Sequence, residues 1–158
     1  MKSIIVCDSG PLISLARIQH LHLFEIFETI HIPQGVYQEV VVQSQGRPGL
    51  ELQGQPWVVV HPDPNAIPLE ISTLGRGEAT AILLAVQLDA ELLLIDDRQA
   101  RSAAQRLGVR CAGTLNLLQR AKQLGVISEV RGILDALVVA NFRISKGTRQ
   151  AFLQSVDE

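Results

Sequence analysis

A chain of 158 residues, 47% hydrophobic and 19% charged, can bury one core and is too apolar for a disordered polymer. With one Trp, one Tyr and four Phe, that core must be built from Leu, Ile, Val and Ala. A formal charge of −2 and a pI of about 6.1 exclude binding to nucleic acid by bulk basicity, though not binding in which metal ions meet the phosphates.

The first segment, Ser3–Cys7, is a short apolar run that reads as a buried strand ending at Asp8. Gly10-Pro11 breaks it, and Pro11 suits the first turn of a helix carrying Leu12, Leu15 and Ala16 on one face. A second helical stretch, Leu21–Glu28, leads to a short strand, Thr29–Ile32, closed by Pro33. Gln34–Gln43 reads as a helix that carries Glu39. Residues 44–55 hold Gly46, Pro48, Gly49 and Gly54 and read as a mobile excursion. Trp57–His61 is a strand, followed by a connection with Pro62, Pro64 and Pro68. Gly75–Gly77 opens the clearest helix, Glu78 to about Leu88, whose apolar residues leave almost no polar side. Glu91–Ile95 is a strand running into Asp96-Asp97. The next helix places Ala100, Ala103, Ala104 and Leu107 on one face. Val109–Ala112 is a short strand ended by Gly113-Thr114, and helices follow at Leu115–Leu124, Ser128–Ala140 and Lys146–Val156.

Strands alternating with helices predict a three-layer α/β/α sandwich with a mainly parallel central sheet. The expected organisation is one domain over 1–158, with a core of 1–127 and C-terminal helices at 128–158. Too few residues precede Asp8 for a signal peptide, and no stretch approaches a membrane span, so the chain reads as cytoplasmic with no membrane contact. Cys7 and Cys111 read as buried thiols in a reducing compartment, and His20, His22, His31 and His61 as structural or surface residues.

In a parallel sheet, sites form beyond the carboxyl ends of the strands, where Asp8 and Asp96-Asp97 fall. Carboxylates gathered at such an edge are the usual way to hold Mg²⁺ or Mn²⁺. Each acid also has a plainer reading. Asp8 could cap the following helix, and Ser9 could cap it or position a metal-bound water. Glu39 could be solvated, although its face includes Val36 and Val42. Glu78 could complement a helix dipole, but it shares a face with Ala81, Ile82 and Ala85, where a carboxylate is costly without a cation or hydrogen bonds. Of Asp96 and Asp97, one caps the next helix and the other is free for metal. Arg98 and Arg101 could form a solvated face or approach phosphate. Without metal these acids repel one another, which predicts a raised pKa in at least one.

In order, IIVCDSGPLISLARI, IPQGVYQEV, GRGEATAILLA, LLLIDDRQAR and RLGVRCAGTLNLLQRAKQLGVI resemble the PIN domain, and within it the proteins that begin with D-[ST]-x-P-L-I. These segments span residues 4–127. The resemblance implies a metal-dependent endoribonuclease acting on single-stranded RNA, with Mg²⁺ or Mn²⁺ held by Asp8, Glu39, Glu78 and Asp97 and with Asp96 as a further candidate. It implies that Thr114 lies near the metal site. Ser9, Arg98, Arg101 and Thr114 are the candidate phosphate contacts. Many such proteins are toxins of toxin–antitoxin pairs, so the resemblance also implies an antitoxin partner and a homodimer. Two departures stand out: Glu78 replaces a usual Asp, and Ile95 stands where Thr or Ser is common. The competing reading is a catalytically silent PIN-like module that binds RNA or a partner protein. A phosphatase with Asp8 as nucleophile wants a second Asp at position 10, which is Gly. A dinucleotide site wants G-x-G-x-x-G after the first strand, which is absent.

Overall fold

Short, continuous apolar runs suit a parallel sheet, and five such runs form it, buried at the centre and partly exposed at the two edges. The computed structural model describes residues 3–43 and 51–158, without the side chain of Gln43. The strands are β1 (Ile5–Cys7), β2 (Ile30–Pro33), β3 (Val58–His61), β4 (Leu92–Leu94) and β5 (Cys111–Ala112). They run parallel in the order β3-β2-β1-β4-β5. The helices are α1 (Ser9–Arg17), α2 (Gln34–Gln43), α3 (Arg76–Gln87), α4 (Arg98–Arg106), α5 (Thr114–Gln123), α6 (Arg131–Val139) and α7 (Lys146–Ser155). The α/β sandwich with a parallel central sheet is therefore as the sequence predicts.

Alternation along each strand feeds two apolar clusters. Ile5, Cys7, Ile30, Ile32 and Leu94 pack with α1, α5 and residues Val130, Leu134, Leu137, Leu153 and Val156 of the C-terminal helical region. Val6, Leu93 and Ile95 pack with Ala79, Ile82 and Ala85 of α3 and with Ala100, Ala103 and Ala104 of α4. A fully buried aliphatic side chain of this kind contributes about 1.5–3 kcal/mol. Small alanines let α3 and α4 lie close to the sheet.

Several elements differ from expectation. Leu21–Phe27 is a 3₁₀ segment, because Leu21, Phe24 and Phe27 recur every three residues and so line one ridge at three residues per turn. Val86 is 48% exposed, so α3 keeps one solvated side. Val42 is exposed as well, which leaves Val36 as the inward partner of Glu39 on α2. The last strand reaches only Cys111–Ala112, and Cys111 is half-buried on this edge. Of the predicted excursion, residues 44–50 lie outside the described residues, while Leu52 is buried in the core. His31 and His61 are not independent: Nδ1 of one and Nε2 of the other lie 2.8 Å apart across β2 and β3.

Phe24 is fully buried and stacks on Trp57 with ring centroids 6.0 Å apart, joining the 3₁₀ segment to the start of β3. Phe24→Ala is expected to cost about 3–5 kcal/mol and to lower Tm by roughly 10 °C in a thermal melt. A change of under 2 °C, within the spread of ordinary surface substitutions, would show that this stack does not anchor the fold.

Candidate functional site

The backbone aligns three strand ends. Asp8 N–H donates to Leu94 O at 2.9 Å, and Ile95 N–H donates to Ala112 O at 2.8 Å. The residues that follow, Asp8, Asp96 and Gly113-Thr114, therefore leave the sheet side by side. Asp8 occupies the N-cap position of α1, yet its side chain makes no cap hydrogen bond. It is 5% exposed, and its Oδ1 is buried without a hydrogen-bond partner. Burial pushes its carboxyl up to about 7, the Ser9 backbone N–H pulls it down, and the neighbouring Glu78, Glu39 and Asp96 push it further up.

Glu39 comes from α2 and reaches the same place because residue 77 is glycine. A Cβ there would stand 2.8 Å from Glu39 Oε2 and 3.8 Å from Asp8 Oδ1. Glu78, in the first turn of α3, is held above its ordinary range first by partial burial and then by Asp97 and Glu39, while the Gly75 N–H lowers it. Asp63 ties the two acid-bearing helices together. It accepts a hydrogen bond from Gly35 N–H at 2.9 Å and faces Arg76 at 3.8 Å.

Asp96 and Asp97 have separate tasks. Asp97 caps α4, its Oδ1 accepting from Ala100 N–H at 2.8 Å. Asp96 accepts from Thr114 twice, from the N–H at 2.7 Å and from the hydroxyl at 2.6 Å. Thr114 is fully buried, so its two donors serve Asp96. A Cβ at Gly113 would lie 2.7 Å from Asp96 Oδ1 and 3.5 Å from an Arg101 guanidinium nitrogen, so glycine is needed for the close approach.

Glu78, Glu39 and Asp96 thus all stand near enough to Asp8 to act on its charge, and Asp97 and Glu39 act on Glu78. Their chemistry fits a hard divalent cation. All donors are carboxylate oxygens, and the buried, unpartnered Asp8 Oδ1 is an atom that burial without a ligand would penalise. Among the described residues no three such side chains already stand at the spacing of a finished metal centre.

All five candidate acids come to this edge. Ser9 is buried at the head of α1, while Arg98 and Arg101 line a cleft beside Asp96 and Asp97. Gly77, Gly113 and Asp63 escaped the sequence reading. Gly77 stands directly before Glu78 in GRGEA, a signal present in the sequence, whereas nothing local marks Gly113 or Asp63 as a neighbour of an acid.

The chain matches the DUF3368 family, described as a PIN domain, over residues 4–158. No curated protein matches it. Solved structures of similar fold include a PilT N-terminus domain protein from the archaeon Sulfolobus solfataricus P2. It aligns with a TM-score of 0.56 and 21% identity over 75% of this chain and 92% of that one. The parallel sheet, the acids at its edge and the match across 4–158 agree: the chain belongs to the DUF3368 family of PIN domains, a nuclease-type superfamily.

Proposed function

We propose that this PIN domain is a Mg²⁺- or Mn²⁺-dependent endoribonuclease that hydrolyses phosphodiester bonds in single-stranded RNA. The observation that carries the proposal is the Asp8 carboxylate, buried with an oxygen unpartnered and faced by Glu39, Glu78 and Asp96. These four, with Asp97, are the residues that would hold the ion. When bound, such an ion acidifies water and offsets negative charge developing on the phosphodiester. Asp8 gives up its proton as the cation enters, so cation affinity rises with pH through about 7. Thr114 holds the Asp96 carboxylate in a fixed orientation through two hydrogen bonds. Arg98 and Arg101 meet the substrate's phosphates from α4. In the reaction a water oxygen joins phosphorus and a ribose oxygen departs with a proton.

Two free thiols fit a reducing cytoplasm, and among the described residues no helix is long and apolar enough to cross a membrane. The family resemblance extends the proposal to a toxin acting as a homodimer and restrained by an antitoxin protein. The direct test is cleavage of a mixed pool of single-stranded RNAs with Mn²⁺ or Mg²⁺, against EDTA and against Asp8→Asn. Metal-dependent cleavage lost in Asp8→Asn supports the nuclease. Metal binding without cleavage of RNA or single-stranded DNA would replace it with a silent RNA- or protein-binding module.

The pKa of Asp8 predicts a stability signature. Its carboxyl ionises near 3.8 when unfolded and near 7 in the folded, cation-free chain. Between those values the folded state holds the extra proton, so stability falls as pH rises from about 4 to 7, and above 7 the full loss persists. Asp8→Asn removes this penalty. In EDTA at pH 8 it is expected to melt about 5 °C above wild type, with the difference gone by about pH 4. Unfolding of Asp8→Asn would make Asp8 structural and sink its role as a ligand.

Gly77→Ala tests the geometry. The atom it meets is the end of the flexible Glu39 side chain, so the fold survives and Glu39 must withdraw. Metal affinity measured by calorimetry is expected to fall about tenfold with Tm within about 2 °C of wild type. Unchanged affinity would remove Glu39 from the ion's surroundings.

A further inference from the structure

We infer that the cleft between α4 and the segment joining α6 to α7 is the track for a single-stranded polynucleotide, with Arg98, Arg101 and Arg143 on its phosphates and Phe142 stacking a base. The inference deepens the nuclease reading, on which it rests for the cleft's relation to the acids. It adds residues from a part of the chain that holds none of those acids.

The cleft encloses about 1040 Å³, and Gly10, Asp96 and Asp97 are part of its wall. Arg98 and Arg101 line it as well, together with Phe142, Arg143, Thr148 and Phe152. A chain lying in it shares a wall with two acids of the cluster, Asp96 and Asp97. Among the described residues the ion pairs use Arg76, Lys122 and Arg149, so the three arginines of the cleft face no carboxylate within 4.0 Å. Unpaired guanidinium groups on one concave surface suit phosphate, which they can grip with two parallel hydrogen bonds. Arg101 is half-buried and Arg98 and Arg143 are exposed, so the cleft carries positive charge both within its wall and at its surface.

The remaining lining explains why the polyanion is single-stranded nucleic acid. Phe142 and Phe152 are half-buried, with one part of each packed on the core cluster and another on the cleft. A ring at the wall of a groove can stack only on an unpaired base, and such stacking tolerates any sequence. Side-chain amides and hydroxyls at Ser102, Gln105, Asn116 and Asn141 line the same cleft and offer hydrogen bonds to ribose or base. A second cleft of about 810 Å³ lies against Ser3, Glu91 and Arg110 before β1, β4 and β5, with Glu28 beside these residues. Its mixed charge and its lack of any acid from the cluster give it no part in this track.

The test is fluorescence anisotropy of a labelled ten-nucleotide single-stranded RNA in Mg²⁺, using the full chain with Asp8→Asn so that the probe is not cut. In that background Arg98→Ala and Arg143→Ala are each expected to weaken binding about fivefold or more and to reduce the slope of log affinity against log salt by about 0.7. Phe142→Ala should weaken binding about tenfold with the slope unchanged. Arg106→Ala, on the same helix but outside the cleft, should bind as its parent. The track is overturned if the RNA does not bind, or if Arg106→Ala loses as much affinity as Arg143→Ala. It is also overturned if a poly-glutamate peptide binds more tightly than RNA and depends on Arg143, because the cleft would then belong to an acidic protein segment. Arginine-dependent binding without cleavage by the wild-type chain keeps the track and removes the nuclease. Cleavage indifferent to Arg143 does the reverse.

Discussion

Asp8 is buried at the end of the central strand with one oxygen unsatisfied and other carboxylates around it. A group so placed is expensive, since burial and like charge both disfavour its ionised form. The surrounding structure maintains the expense instead of relieving it. Leu94 fixes the Asp8 backbone, glycine at 77 lets Glu39 approach, and glycine at 113 lets Asp96 approach. A parallel sheet makes this possible, because every strand releases its chain at the same edge. Acids distant in sequence then meet without any of them having to span the core.

Asp96 and Asp97 show how adjacent residues divide the work. A helix start needs an acceptor for its free N–H groups, and Asp97 supplies it to Ala100. That bond fixes the direction of α4 and leaves Asp96 pointing toward Thr114 and Asp8. Thr114 heads α5, so Asp96 also joins α5 to the end of β4. On the other flank Asp63 joins the starts of α2 and α3 through Gly35 and Arg76. The cluster is thereby clasped from two sides by carboxylates, one within it and one outside it.

The legible parts of the chain were those governed by local pattern. Apolar runs marked the strands, Gly10-Pro11 and Gly75–Gly77 marked helix starts, and acids after SIIVC and ELLLI marked the strand ends. The helical stretch read at Leu21–Glu28 is helical over Leu21–Phe27, but its three-residue ridge makes it 3₁₀, a period the sequence reading did not specify. The partners of the acids were less accessible. Which aspartate caps α4 depends on backbone direction, and the contact between Gly77 and Glu39 joins residues far apart in sequence. The His31–His61 pair was missed for the same reason: neighbouring strand positions are set by register, which a single sequence does not display.

Charge asymmetry along the sequence acquires a meaning from this geometry. Residues 1–75 carry three basic and seven acidic side chains, and residues 76–158 carry eleven basic and nine acidic. The first part supplies Asp8 and Glu39, and the second supplies Glu78, the Asp96-Asp97 pair and every arginine of the cleft. Folding sets the two kinds of charge against each other on one surface, so the field at the cleft's mouth depends on what the acids hold. On the proposed reading, a polyanion approaching the arginines would meet repulsion from the bare acids. A divalent cation held by those acids would cancel the repulsion and leave the arginines unopposed. Cation and polyanion then favour each other's binding by the same factor, as linkage requires. Burial of Asp8 strengthens the part of this coupling that acts through its carboxylate, while the exposed Arg98 and Arg143 act through water and lose their share as salt rises.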